Sequence, residues 1–193
     1  EYAIAYYELA HHSEKNGDLN EAKIHFQRAT DVDQNYVDAY FNLARISKSP
    51  SEHDQAIRNY ETALEINPNM ADCHYWFAKL LTTGERLSND GTLLKEPKID
   101  EAEKHFNRAI KINPKFAKAY YRLGLLLYSK KAYLSALDNF EHAIKLDPNF
   151  SKAHYSLAVL LMSNEASKII EKELLLREKK TRPRSRSVSK KAK

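Results

Sequence analysis

The chain contains few of the residues that break regular structure or form covalent cross-links. Its 193 residues include one cysteine, four glycines and six prolines. A single cysteine excludes an internal disulfide bond and a cysteine-based metal site, and it indicates an intracellular protein, cytoplasmic or nuclear. So few glycines and prolines argue against a turn-rich β fold and favour helices. No apolar run reaches the roughly 18 residues that a transmembrane helix needs.

The net charge of +5 conceals two segments of opposite sign. Residues 179–193 contain eight Lys or Arg and no acid, whereas residues 1–178 hold 23 basic and 26 acidic residues, a net charge of −3. The end of the chain, TRPRSRSVSKKAK, is rich in serine and almost free of apolar groups. Such a segment cannot bury enough surface to fold, so we expect residues 181–193 to form a disordered basic tail.

One 19-residue pattern occurs four times. Residues 106–124 read FNRAIKINPKFAKAYYRLG and residues 140–158 read FEHAIKLDPNFSKAHYSLA, and similar copies begin at residues 26 and 60. Each copy starts with an aromatic residue, has Ala fourth and ends in Gly or Ala, and the copies start 34, 46 and 34 residues apart. A repeat of this period predicts a solenoid.

Each copy predicts two helices separated by an Asx-Pro pair. Ala102, Phe106 and Ala109 are spaced four and three apart, which places them on one face of a helix. Proline disfavours the helical conformation of the preceding residue and suits the first turn of a helix. Asn113-Pro114 is therefore expected to end one helix and open the next, as are the pairs at 67–68 and 147–148.

The second helix of each copy repeats a large, a large and a small residue, as in Tyr120, Leu123 and Gly124. Small residues at a crossing let two helix axes approach to about 8–10 Å. The order aromatic, Leu, Gly/Ala, then Ala, aromatic, Ala and Pro over 34 residues resembles the tetratricopeptide repeat. The resemblance covers residues 3 to about 162.

This resemblance implies an all-α, right-handed solenoid of antiparallel helix pairs whose first helices line a concave face. We expect repeat units at 1–36, 37–70, 71–116 and 117–150, and a degenerate fifth unit at 151–180 whose helix over 164–180 caps the stack. A 12-residue insertion near 84–97 lies between the two helices of the third unit. Its adjacent Leu93 and Leu94 either pack against that unit or contact a partner.

The sequence offers little that would support catalysis or cofactor binding. No glycine-rich phosphate loop is present, and no two histidines lie four apart with a carboxylate between them, as in a helical zinc site. Cys73 occupies a small-residue position of the repeat, which predicts a packing role. We therefore expect a protein that is not an enzyme and has no cofactor, no metal and no catalytic residue.

The resemblance implies that the concave face binds extended or helical segments of other proteins, within a larger assembly. An aromatic residue recurs at one outward position of every first helix, either as scaffold or for recognition, and charged or polar residues lie beside it. The groove is expected to be acidic near Asp38 and Asp72 and basic further along. The predicted partner-binding residues are Tyr7, Phe41, Asn42, Tyr75, Trp76, Lys118, Tyr121, Arg122, Lys152 and Tyr155.

Besides a regulatory fragment of a larger enzyme, two other functions remain open. Some family members are chaperone cofactors that hold an acidic peptide tail with five clamp residues; Lys118 and Arg122 match the last two, but Phe41, Arg45 and Trp76 differ from the rest. The basic tail would attract nucleic acid or another polyanion, unless it serves solubility or nuclear import. Its candidate contacts are Arg182, Arg184, Arg186, Lys190 and Lys191, and phosphorylation of the intervening serines would cancel much of their charge.

Overall fold

The computed structural model describes residues 1–83 and 98–181. The predicted insertion with Leu93 and Leu94 lies outside these residues. So does the basic tail beyond residue 181, with all five of its candidate polyanion contacts.

The two described ranges are built from helices, with no strand among them. The ten α-helices are α1 (Tyr2–Lys15), α2 (Leu19–Val32), α3 (Val37–Ile46), α4 (His53–Ile66), α5 (Ala71–Thr82), α6 (Ile99–Ile112), α7 (Ala117–Ser129), α8 (Tyr133–Leu146), α9 (Ser151–Met162) and α10 (Asn164–Thr181), and a short 3₁₀ turn, Pro50–Glu52, precedes α4. Consecutive helices pack as pairs, and each pair packs on the next. The predicted all-α solenoid is confirmed.

The Asx-Pro pairs lie between helices, so the prediction that proline opens the next helix is wrong. Helix α6 ends at Ile112 and α7 begins only at Ala117. The Asn113 side-chain oxygen accepts a hydrogen bond from the backbone N–H of Lys115 at 3.1 Å. Equivalent bonds form at residues 67–69 and 147–149. The Asx side chain therefore closes a turn of its own, which delays the start of the helix.

A buried aromatic side chain forms the centre of each of the first four helix pairs. These residues are Phe26, Tyr60, Phe106 and Phe140. Gly124 of α7 lies directly against Phe140 of α8: a Cβ at position 124 would be 2.7 Å from the Cδ1 and Cε1 atoms of the ring. The glycine thus permits the close approach of α7 and α8 that the repeat pattern predicts.

Helix α10 lies over the end of the stack. Its Ala166 and Ile170 are buried in the core. Glu165 forms a salt bridge with Lys131, with 3.1 Å between Oε1 and Nζ. Beyond Ile170 the helix exposes three consecutive leucines, Leu174 to Leu176. The first half of α10 therefore covers apolar surface of the preceding helices, while Arg177 in its second half forms an ion pair with Asp138 of α8 at 3.4 Å.

Candidate partner-binding groove

The recurring aromatic residues of the first helices, here called the aromatic column, serve mainly as scaffold. The column comprises Tyr7, Phe41, Tyr75, Tyr121 and Tyr155. Three of its rings pack against an aromatic residue just before the next first helix: Tyr7 on Tyr36 at 5.0 Å, Tyr75 on Phe116 at 4.9 Å and Tyr121 on Phe150 at 4.9 Å between centroids. These contacts hold the end of one helix pair against its own first helix.

The other two members of the column differ in exposure. Phe41 is half-buried, with its ring 6.3 Å from that of Tyr60. Tyr155 is 72% exposed, whereas Tyr75 is only 7% exposed. Because no further helix pair follows α9 and α10 in the described residues, Tyr155 lacks the loop aromatic that covers its equivalents. Tyr155 is thus the column member most open to a partner.

Four polar side chains connect α1 to α3. Asn42 is buried and donates hydrogen bonds to the Tyr7 hydroxyl at 3.1 Å and to the Asp38 carbonyl at 2.9 Å. Arg45 donates through Nε to the Asn42 side-chain oxygen at 3.0 Å, and through one terminal nitrogen to both Glu14 oxygens at 2.8 Å. Asn42 and Arg45 are therefore engaged within the chain.

The pKa values of this network follow from the same contacts. Burial raises the pKa of Tyr7 to about 12, and the nearby Asp38 carboxylate adds to the shift. The hydrogen bond from Arg45 lowers the pKa of Glu14 below its ordinary value, against the opposing effect of burial. Tyr7 therefore stays neutral and Glu14 stays charged at neutral pH, as their partners require.

Four cations come together further along the groove. Lys79 of α5 places its Nζ atom 4.3 Å from the ring centroid of Trp76. Partial burial lowers the pKa of Lys79, and the positive charges of Arg122, Lys48 and Lys152 lower it further. We call Lys48, Lys79, Arg122 and Lys152 the cation cluster. Within residues 1–83 and 98–181, none of the four forms an ion pair.

The cation cluster runs diagonally across the stack. Its members follow the first residue of α3, α5, α7 and α9 by eleven, eight, five and one residues, respectively. Each step to the next first helix moves the cation about one helical turn towards the helix start. The structure thus joins Arg122 and Lys152, which we predicted as groove residues, to Lys48 and Lys79, which we did not. Lys118 is exposed in the first turn of α7 and makes no ion pair with a described residue.

The signal for Lys79 was present in the sequence but was not used. Lys79 lies three residues after Trp76, so the two share a helix face. Lys48 was harder to find because it follows the end of α3. Only the stacking of four helix pairs brings these side chains together.

A histidine pair joins α5 to α6 behind the groove. The Nδ1 atoms of His74 and His105 are 2.8 Å apart, and Nε2 of His74 is 3.1 Å from the Pro68 carbonyl oxygen. A carbonyl only accepts, so His74 carries its proton on Nε2 and accepts at Nδ1 from His105. Burial lowers the pKa of both rings, that of His105 to about 4, so both are neutral at pH 7.

Other candidate chemistry is sparse in the part of the chain that the structure describes. Burial raises the pKa of the Cys73 thiol to about 12, so Cys73 stays protonated at neutral pH. No group of three or more His, Cys, Asp or Glu among these residues could hold a metal ion. None of the described helices combines the length and apolarity needed to cross a membrane.

Comparison with known families agrees with this geometry. Tetratricopeptide repeat models match residues 3–36 and 117–150. Residues 3–36 and 117–150 are tetratricopeptide repeats. A further model, described as Regulator of microtubule dynamics protein 1-3, matches residues 53–131 of this repeat protein. No match was found among curated proteins.

Solved structures share the fold of this chain. A MamA protein is 22% identical, with a TM-score of 0.71, and the match covers 96% of this chain and 97% of that one. YrrB, titled a TPR protein with an unusual peptide-binding site, is 23% identical with a TM-score of 0.64, over 80% of this chain and 73% of its own. PilF of Pseudomonas aeruginosa is 20% identical with a TM-score of 0.70, over 92% and 72%. At these identities the likeness concerns the fold alone.

Proposed function

We propose that this protein is a non-enzymatic scaffold whose concave groove binds a segment of a partner protein within a larger assembly. One observation carries the proposal: the two halves of the groove differ in whether their polar and charged side chains are paired with one another. On α1 and α3 the polar side chains satisfy one another, through Glu14, Arg45 and Asn42. On α5, α7 and α9 the cations have no counter-ion among the described residues and Tyr155 is uncovered.

The proposed contact surface is therefore narrower than the sequence-based set. It comprises Trp76, Lys79, Lys118, Tyr121, Arg122, Lys152 and Tyr155. Tyr7, Asn42 and Tyr75 are assigned to the scaffold because they are buried or hydrogen-bonded within the chain. Phe41 is half-buried at the edge of this surface.

Site-specific photo-crosslinking in cells would test the groove as the binding site. A photoreactive amino acid replaces Tyr155, whose exposure tolerates the change, or Asn107, which is exposed on α6. We expect protein adducts from position 155 and few or none from position 107. Adducts that form equally at both positions, or only at 107, would show that the groove is not the binding site.

A more specific candidate follows from the family model that matches residues 53–131. This range spans α4 to α7 and contains Lys79 and Arg122. We propose regulation of microtubule dynamics as the process in which the scaffold acts. The full chain should then change the rate of tubulin polymerisation in a turbidity assay, and a Lys79→Ala, Arg122→Ala double variant should change it less. A polymerisation rate unaffected by the wild-type protein would argue against this candidate.

The chaperone cofactor receives less support from the same contacts. One register of the clamp needs a free side chain at position 45, yet Arg45 already binds Glu14 and Asn42. The polyanion contact of the tail stays a prediction, because its residues lie outside the described ranges.

A further inference from the structure

The chain contains a single serine that directly precedes a proline, Ser49 before Pro50, and none of the other five prolines follows a serine or a threonine. We propose that Ser49 is a phosphorylation site for a proline-directed serine/threonine kinase, and that its phosphate competes with Glu52 for the ammonium group of Lys23. Ser49 lies in the connection between α3 and α4, outside the surface assigned to partner binding.

Ser49 presents its hydroxyl at an exposed position between two helices. Helix α3 ends at Ile46 and α4 begins at His53, so the acceptor belongs to neither. An enzyme that modifies a folded chain needs an acceptor that enters its active site without the unwinding of a helix, as exposed connections allow. Proline also favours an extended conformation in the residue before it. The Ser49 hydroxyl contacts only another exposed hydroxyl, that of Ser51 at 3.0 Å, among the hydrogen bonds of the described residues.

The two serines nearest to Ser49 are poorer acceptors for such a kinase. Ser47 is buried and donates a hydrogen bond to the Leu43 carbonyl at 2.7 Å. Ser51 is exposed but is followed by Glu52, whose backbone N–H a proline would lack. Of the three serines in this connection, Ser49 alone combines exposure with a following proline.

The reaction transfers the γ-phosphate of ATP to the Ser49 hydroxyl. The Oγ atom attacks the γ-phosphorus and forms a new P–O bond, while the bond from that phosphorus to the bridging oxygen of ADP breaks. ADP leaves with the electron pair of the broken bond, and the hydroxyl proton passes to a general base of the kinase. The product carries a charge of about −1.5 to −2 at neutral pH and three strong acceptor oxygens.

Glu52 connects the residue to be modified with a lysine of α2. Its Oε2 atom accepts a hydrogen bond from the backbone N–H of Ser49 at 3.2 Å, and its Oε1 atom accepts one from Lys23 Nζ at 2.6 Å. Burial raises the pKa of Glu52, but these hydrogen bonds outweigh it and hold the pKa below its ordinary value. Glu52 is therefore a carboxylate at neutral pH, in contact with both Ser49 and Lys23.

A phosphate on Ser49 would change this arrangement in two ways. It brings negative charge next to the Glu52 carboxylate, and like charges repel. It also offers Lys23 an acceptor of higher charge, because the carboxylate that Lys23 now binds is itself in contact with Ser49. Lys23 belongs to the first helix pair and Glu52 precedes the second, so phosphorylation acts on the contact between the two pairs.

The first experiment incubates the full chain with ATP and a mitogen-activated protein kinase, which is proline-directed, and locates the phosphate by peptide mass spectrometry. We expect phosphate on Ser49 and none on that residue's peptide in Ser49→Ala or Pro50→Ala. Ser51→Ala, at the neighbouring exposed serine, is the matched control and should be modified like the wild type. Phosphate on Ser51 or on the tail serines alone would overturn the proposal.

A folded chain that stays unmodified would overturn it as well. A synthetic peptide of residues 44–55 then shows which property excludes the kinase. Modification of the peptide alone means that the fold withholds the hydroxyl, and modification of neither means that the local sequence is not a substrate.

A double-mutant cycle on Lys23→Met and Glu52→Gln tests the competition. The free energy of unfolding of the four proteins is measured with and without phosphate on Ser49. We expect the coupling between Lys23 and Glu52 in the unmodified protein to be mostly lost in the phosphorylated one. The same cycle on Lys130→Met and Glu103→Gln, an ion pair between the third and fourth units, is the control and should not respond to phosphorylation. Equal coupling of Lys23 and Glu52 in both states would show that the phosphate does not compete for Lys23.

Discussion

At the residue scale, the packing of α7 against α8 depends on Gly124. The equivalent position of other first helices holds Ala, as at Ala44 and Ala158, so the repeat itself accepts a methyl group. At position 124, however, the ring of Phe140 occupies the space that this methyl group would fill. The ring is itself fully buried and has little room to move away.

Substitution Gly124→Leu should therefore destabilise the protein strongly. Overpacking a core commonly costs about 1–3 kcal/mol, and a leucine directly against a buried ring lies at or above the upper end of that range. Ala158→Leu is the matched control. It occupies the same repeat position on α9 but is exposed, so its effect should be within about 0.5 kcal/mol. Equal melting temperatures for the two variants would show that our placement of α7 on α8 is wrong.

The histidine pair gives the protein a stability that depends on pH. His105 is neutral in the folded state with a pKa of about 4, below its ordinary value of 6.5. The unfolded chain therefore binds a proton between pH 6.5 and 4 that the folded protein does not. The stabilisation is complete above pH 6.5 and is lost progressively as the pH falls towards 4.

The variant His105→Gln should flatten this dependence. Between pH 7.5 and pH 5 we expect the free energy of unfolding, from urea titrations, to fall by about 1–2 kcal/mol more in the wild type than in the variant. The control is His12→Gln, at an exposed position of α1, which should show the same pH dependence as the wild type. Carboxylates also titrate in this pH range, but they do so in all three proteins, so their contribution cancels in the comparison. If the wild type and both variants show the same pH dependence, His105 is not protected from protonation.

At the element scale, α1 is fixed to α3 by a connection that is polar as well as apolar. Glu14 and Arg45 are both partly buried, and their hydrogen bonds of 2.8 Å are short enough to be charge-assisted. The other cross-connection of this region, Lys23 of α2 to Glu52 before α4, is also an ion pair. Added salt should therefore weaken the attachment of the first helix pair to the stack.

A double-mutant cycle on Glu14→Gln and Arg45→Met should measure a coupling energy of about 1 kcal/mol at low salt, decreasing as salt is added. Each of these two substitutions replaces a charged side chain with a neutral one of similar length, so packing should change little. The measurement is the free energy of unfolding of the four proteins by circular dichroism. A coupling near zero would mean that water screens this pair as completely as an exposed one.

The helices themselves were predictable because one local rule, spacing of three and four, generates each of them. The segments that connect the helices were less predictable. Proline after Asn or Asp suggested a helix start, yet the Asx side chain closes a separate turn and α7 begins at Ala117. The role of the aromatic column was also undecided from sequence alone. It depends on whether a ring such as Tyr36 or Phe116 packs onto it, which is a contact between residues about 30 or 40 positions apart.

At the scale of the whole molecule, only part of the candidate site could be predicted from the sequence. Arg122 and Lys152 were predicted because equivalent repeat positions can be compared directly. The cation cluster instead follows a diagonal, so its members occupy a different repeat position in each helix pair. Finding Lys48 and Lys79 requires the stagger between neighbouring helices, which is a property of the stack rather than of any one repeat.

The hydrophobic core is also divided at this scale. Ala10, Ala22, Phe26, Leu43 and Ile46 form one cluster beneath α1 to α3. A much larger cluster extends from α3 to α10 and contains the other three central aromatics. The first helix pair thus depends on a small core of its own and on the polar contacts of Arg45 and Asn42. The groove half that we assign to partner binding rests on the large core.

Native-state hydrogen exchange should reveal this division as two levels of stability. The free energy of the opening that exposes backbone amides to exchange should be lower in α1 and α2 than in α5 to α8, because fewer buried apolar side chains hold the first two helices in place. Arg45→Ala should lower that free energy by about 1 kcal/mol or more in α1 and α2, roughly a fivefold faster exchange, while α7 and α8 are unaffected. Lys145→Ala should change neither region. If Arg45→Ala speeds exchange uniformly along the chain, the stack opens as one cooperative unit and the small core has no independent role.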